Sequence, residues 1–283
     1  MSSHAREEWP PQPEALPAPV VDNHCHLDHP GRDGTRLAVD DALGRAAASN
    51  VTRIVQVGCD VDSSRWAVQT AEEHTEIVAA VALHPNDAAR MERAAELPAA
   101  IAAIDELAGS RSRVRAIGET GLDYYRTGAD GRPAQHESFR AHIQLAKKHD
   151  KALVIHDRDA HEDVLAVLDD EGMPERTIMH CFSGDADFAR ECVSRGAWLS
   201  FAGTVTFKNA SGLRAALAAT PVDRILVETD APFLTPEPHR GKPNASFLIP
   251  HTLRRMAEVK GMDVSELCDA VTANTNAAYG GAW

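Results

Sequence analysis

The sequence predicts a closed parallel (β/α)8 TIM barrel with extra C-terminal helices, and three observations support that fold class. Short apolar, β-branched runs recur along the chain, beginning near Val20, Arg53, Ile77, Val114, Ala152, Thr177, Trp198 and Ile225. Their hydrophobicity is continuous rather than alternating, as in parallel strands covered on both faces. Longer amphipathic segments separate the runs, and histidines or carboxylates stand where most of them end. Alternating strand and helix selects an α/β architecture. The 283 residues suit one barrel of roughly 250 residues. An open doubly wound sheet is the alternative built from the same units.

In chain order, residues 1–18 are rich in proline and charge and read as a mobile tail without signal-peptide character. Residues 19–283 form a single expected domain. Helical periodicity covers 37–48, 63–74, 89–107, 135–149, 159–169, 186–195 and 213–219 between the strands, then 246–259 and 263–278 after the last one. Gly172 and Gly196 are placed to end their helices. Asp263 with Glu266 three residues on resembles a capping pair.

Composition narrows the class. No run approaches the roughly 20 apolar residues of a membrane span, so a cytoplasmic protein, monomeric by default, is expected. The five cysteines (Cys25, Cys59, Cys181, Cys192, Cys268) include no C-x-x-C pair. That argues against a zinc ribbon or a disulfide framework and for small buried residues. The net charge of −13 argues against binding nucleic acid chiefly through backbone electrostatics. Phosphate could still be met through metal ions and a few local cations.

Chemistry concentrates at the ends of the predicted strands. Side chains alternate faces along a strand, so His24 and His26 point the same way. His84, Glu119, His156, His180 and Asp230 occupy comparable places on other strands, and a barrel gathers such ends into one ring. Nitrogen and oxygen donors with almost no thiolate suit zinc, manganese or magnesium. Even without His84, the six remaining ligands exceed one tetrahedral shell. A two-metal site with a shared carboxylate, its ions roughly 3.5–4 Å apart, accommodates them.

Several ordered motifs carry a family resemblance: Asp22-Asn23-His24-Cys25-His26-Leu27, Gly118-Glu119-Thr120-Gly121-Leu122-Asp123-Tyr124-Tyr125, His180-Cys181-Phe182-Ser183-Gly184, Glu228-Thr229-Asp230-Ala231-Pro232-Phe233-Leu234 and His239-Arg240-Gly241-Lys242-Pro243-Asn244. The chain resembles the TatD metal-dependent nucleases within the amidohydrolase-like barrels. The resemblance implies two divalent cations, one on His24, His26, Glu119 and Asp230 and the other on Glu119, His156 and His180, with Glu119 bridging. It implies a deoxyribonuclease that cleaves phosphodiesters of single-stranded DNA exonucleolytically, with RNA or tRNA as other possible substrates. In that scheme Asp230 is the general base and His84 assists at the phosphate or leaving group, a structural role at the rim being its alternative. Arg158, Lys208, Arg240 and Lys242 are candidate phosphate contacts. Tyr124 and Tyr125 either stack on a base or pack the rim. A metal-dependent ester or amide hydrolase, such as a D-aminoacyl-tRNA deacylase, is the alternative activity. Two positions depart from the family pattern: Asn86 stands where many relatives have histidine, and Asn244-Ala245-Ser246 replaces the usual Asn-Glu-Pro.

Overall fold

The computed structural model describes residues 9–31, 34–110 and 112–283. The strands are β1 (Val20–Cys25), β2 (Val51–Val57), β3 (Ile77–Val81), β4 (Val114–Asp123), β5 (Ala152–Arg158), β6 (Thr177–Met179), β7 (Trp198–Phe201) and β8 (Ile225–Val227). They pair in parallel in sequence order. The helices between them are α1 (Val39–Ala47), α2 (Val61–Glu73), α3 (Pro85–Arg93), α4 (Leu97–Ser110), α5 (Arg132–Lys148), α6 (His161–Glu171), α7 (Ala186–Ser194) and α8 (Ser211–Ala219). Two more, α9 (Ile249–Lys260) and α10 (Val264–Ala278), follow the last strand.

The ring closes where β8 meets β1. Asp230 N donates to His24 O at 2.9 Å and His26 N to Ala231 O at 2.8 Å. Asn23 Nδ2 adds a bond to Val227 O at 2.9 Å. Beside this seam the buried Asp22 carboxylate accepts from the Thr229 amide and hydroxyl, at 2.9 and 2.6 Å. These bonds rule out the open sheet, whose edges would stay unpaired.

Two residue sets, alternating along each strand, explain why the runs are apolar throughout. Val55, Val57, Val78, Ala80, Ala152 and Val154 belong to one buried cluster that fills the barrel. Their strand neighbours Ile54, Ile77, Ala79, Val81, Leu153 and Ile155 pack with helix residues such as Ala67 and Val68. Of the strand residues named, those inside are all valine or alanine, and isoleucine and leucine predominate among those that meet the helices.

Two expectations need correction. The segment 89–107 is not one helix. It breaks between α3 and α4, where Ala95 takes φ 58°. Pro98 explains the break, because a proline there cannot donate to residue 94 and clashes with its carbonyl. Residues 1–8 of the expected tail lie outside the described residues, but the stretch from Trp9 to Ala18 is anchored to the barrel through Trp9, Pro10 and Leu16. Leu16 is buried, the Trp9 ring lies 6.2 Å from Phe247, and Arg45 stacks on Phe247 and donates to Pro10 O. Trp9 and Leu16 supply apolar surface to an otherwise proline-rich stretch. Asp263 caps α10 by accepting from Ser265 N at 2.7 Å. Among the described residues no helix is long and apolar enough to cross a membrane.

Candidate metal centre

The side chains singled out at the strand ends meet at one mouth, with Glu119 at the centre. Glycines on either side of Glu119 let β4 approach β5. A Cβ at Gly121, where φ is 142°, would stand 2.1 Å from His156 O, and one at Gly118 would stand 2.4 Å from Val154 Cβ. Any larger residue would push Glu119 away from His156.

Glu119 shares its two oxygens between two groups. Oε1 lies 3.6 Å from His24 Nε2 and 3.4 Å from His26 Nε2. Asp230 Oδ1 completes this first group, 4.0 and 3.6 Å from the same nitrogens. Oε2 lies 3.1 Å from His156 Nδ1, 3.2 Å from His180 Nε2 and 3.8 Å from His84 Nε2. Among the described residues, three sets have ligand atoms all within 4.8 Å of one another: His24, His180 and Asp230; His24, His26 and Glu119; His84, Glu119 and His156. His24, His26, Glu119 and His180 are all buried.

Hydrogen bonds on the far side of each ring decide which nitrogen is free. His26 Nδ1 faces Val57 O at 3.0 Å, and a carbonyl can only accept, so Nδ1 carries the proton. The Nε2 lone pair of His26 is thereby turned inward. His180 Nδ1 donates in the same way to Glu228 Oε1 at 2.9 Å, and His156 Nε2 to Asp123 Oδ2 at 3.3 Å. All three rings thus keep an outer acceptor for one N–H and turn the other nitrogen toward Glu119, where a cation can displace its proton, which is how histidine ligands are oriented by an outer acceptor. His84 is the reverse. Its Nδ1 accepts from Asn86 N at 3.2 Å, capping α3, so its proton sits on Nε2. His84 thus presents a donor to the cluster rather than a lone pair.

Ring nitrogens this close to carboxylate oxygens repel unless a proton or a metal cation lies among them. His24 Nε2 and His26 Nε2 are 3.3 Å apart, and the His24 and His180 rings stack at 3.7 Å. The donor set fits divalent cations on this ground. The ionisation equilibria agree. Burial opposes the charge on Glu119, yet the imidazoles of His84, His180 and His156 hold its carboxyl well below the usual range. Asp230 is likewise lowered against burial, through His26, His180 and His24. Burial also works against protonating His26 and His180. Cys59, Asp230 and Glu119 outweigh it for His26, and Glu228 and Glu119 for His180. Protons and cations therefore compete for those lone pairs, and loading releases protons. Burial drives His84 down to about 3, so it stays neutral.

Three contributors went unnoticed in the sequence. Asp123 and Glu228 hold His156 and His180, and each is fully enclosed. Glu228 Oε1 also accepts from Cys181 N at 2.8 Å. Cys59, read as filler, lies 3.4 Å from Glu119 Oε1. Two carboxylates spaced like Glu228 and Asp230 were a usable signal. Cys59 had none, since only the fold brings it to β4. Asn86 ties the rim to the centre, donating to Asp123 Oδ2 at 3.1 Å and accepting from Thr127 Oγ1 at 2.7 Å.

The expected phosphate contacts lie on the same rim but outside the cluster. Arg158 is half-buried, its guanidinium 4.0 Å from the Tyr125 ring centre. Arg240 lies 4.3 Å over Phe207, and Lys208 and Lys242 are exposed. Tyr124 is engaged structurally, with its hydroxyl bonded to His136 and Asp163.

Residues 21–280 match the family model described as TatD related DNase. The chain belongs to the TatD family. The metal-dependent hydrolase TatD of Mycobacterium tuberculosis is 45% identical over 269 residues, 93% of this chain and 99% of that protein. The metal-dependent hydrolase YabD of Bacillus subtilis is 40% identical over 92% of this chain and 98% of its own. Among solved structures, the TatD homologue YJJV of Escherichia coli superposes with a TM-score of 0.84 at 26% identity, covering 92% of this chain and 98% of that one. This TatD-family chain is accordingly a metal-dependent hydrolase built on a (β/α)8 barrel.

Proposed function

We propose that this TatD-family protein is a two-metal phosphodiesterase that hydrolyses single-stranded DNA. The observation that carries the reading is the division of Glu119, with one oxygen toward His24 and His26 and the other toward His156 and His180. His24, His26, Glu119 and Asp230 would hold one divalent ion, and Glu119, His156 and His180 the other. Bound ions of this kind ease deprotonation of water and neutralise charge on phosphoryl oxygens. The family model's description as a DNase supports phosphorus over carbon as the point of attack.

The chain's own groups divide the remaining work. Asp230 stays ionised at the cluster's edge and accepts a proton from the attacking water. His84, fixed with its proton on Nε2, donates a hydrogen bond to a phosphoryl or leaving oxygen. Arg158 at the end of β5, with Lys208 and Arg240 in the loops beyond, neutralises flanking phosphates. Asp123 and Glu228 keep two rings oriented.

The experiment offers metal-reconstituted protein 5′-labelled single-stranded DNA and, in parallel, a D-aminoacyl-tRNA. Metal-dependent shortening of the DNA is expected. Turnover of the aminoacyl ester with intact DNA would move the reading to ester hydrolysis.

A further inference from the structure

Among the described residues, two large hydrophobic side chains are exposed, Tyr125 at 65% and Phe233 at 39%. Both belong to the catalytic rim. Tyr125 follows β4 and Phe233 follows β8, strands on opposite sides of an eight-membered ring. The metal-ligating cluster lies between them.

The backbone that carries each ring is held in place. Phe233 N donates to the carbonyl of Asp230 at 2.8 Å. Its own carbonyl accepts from the amide of Asn244, a buried side chain that also holds Thr229 O. The ring stands edge-on to His26 with centres 6.4 Å apart, and 5.2 Å from His29. Tyr125 sits in a turn held by Asp123, whose Oδ1 accepts from Arg126 N at 2.8 Å. Arg158 covers one face of Tyr125 at 4.0 Å. Tyr124 differs in being half-buried, with its hydroxyl bonded to His136 and Asp163.

We infer that Tyr125 and Phe233 are base-stacking platforms, one on each side of the scissile phosphate, that hold two unpaired nucleobases of the substrate strand. The inference rests on the phosphodiesterase reading above. Exposed aromatic faces beside a centre that would hold two cations match single-stranded nucleic acid, because every base offers a π-face and stacking tolerates sequence. Arg158 extends the Tyr125 platform, as a guanidinium stacks on planar groups and pairs with phosphate. Bases locked in a duplex cannot reach either ring.

The test compares a labelled oligothymidylate with a strand of the same length built from abasic spacers. The metal-loaded protein should show a KM about a hundredfold lower on the base-bearing strand, from about tenfold at each of two stacking sites. Tyr125→Ala and Phe233→Ala should each raise that KM about tenfold, leaving kcat and all parameters on the abasic strand unchanged. Tyr125→Phe and Phe233→Tyr should restore the wild-type value. Fluorescence anisotropy of the same strands with chelator-treated protein should reproduce the preference without turnover. Equal KM on both strands, unmoved by the alanine variants, overturns the platforms and leaves the phosphodiesterase reading intact. Failure of the wild-type protein to cleave either strand overturns both.

Discussion

Replacing His84 by asparagine separates the two jobs the structure gives that side chain. Its Nδ1 caps α3 by accepting from Asn86 N, and its Nε2–H points toward Glu119 Oε2 from 3.8 Å. Asparagine is a favoured N-cap whose side-chain oxygen accepts the same kind of bond. His84→Asn should therefore keep the fold, with stability within about 0.5 kcal/mol of wild type, whereas His84→Ala loses a cap at about 1 kcal/mol. Neither should lose metal, because a ring whose Nδ1 accepts a backbone proton has no free lone pair on Nε2. The lost donor is felt in the reaction. Removing one preorganised donor to developing oxyanion charge lowers kcat by about 10²–10³-fold, or roughly 2.7–4 kcal/mol. The assay is steady-state cleavage of a fluorescent single-stranded oligonucleotide, with bound metal measured by elemental analysis on the same samples. Loss of one metal equivalent in His84→Asn would make His84 a ligand and refute the tautomer reasoning. Unchanged kcat would reduce it to a helix cap.

Other consequences follow from the groups behind the cluster and from the core. Glu228→Gln leaves His180 without its carboxylate acceptor and Asp123→Asn does the same for His156; each should weaken metal affinity about 10–100-fold by calorimetric titration, and unaltered affinity would show that these carboxylates do not orient ligands. His142, buried in α5, accepts from Leu83 N at 3.1 Å and donates from Nδ1 to Ser138 O at 2.7 Å. Burial lowers it to about 4, below its unfolded value near 6.5. Its contribution to stability is therefore fully present above about pH 6.5 and is lost as the pH falls towards 4, roughly 2–3 kcal/mol by pH 4.5. Urea unfolding at pH 7.5 and 4.5 should show that loss shrinking in His142→Gln, and an equal loss in both proteins would contradict it.

Most of the barrel was legible because parallel strands buried on both faces leave an unmistakable record. Val55 and Ile54 must both be apolar, one for the interior and one for the helices. The strand-end histidines were legible because barrel geometry assigns strand ends to one mouth. What escaped depended on contacts that only the closed fold creates. Trp9 and Leu16 read as tail until Phe247 and the core supplied surfaces for them. The break before Pro98 was written in the sequence, but the apolar periodicity of 89–107 masked it. Asp123 and Glu228 looked like ordinary motif carboxylates, and their roles emerged from the ring nitrogens they hold. Tyr124 and Tyr125, adjacent and alike in sequence, part ways because one faces His136 and Asp163 and the other faces solvent.

The central claim is that Glu119 joins two cation sites that act together on a phosphodiester. Glu119→Gln keeps the volume but replaces one oxygen by an amide that can only donate. Elemental analysis of wild type and Glu119→Gln after loading with manganese or zinc and desalting, paired with single-strand cleavage, tests this most directly. The proposed two-metal reading predicts two equivalents per chain in the wild type, at most one in the variant, and loss of cleavage with loss of metal. Two equivalents and undiminished cleavage in Glu119→Gln would contradict it.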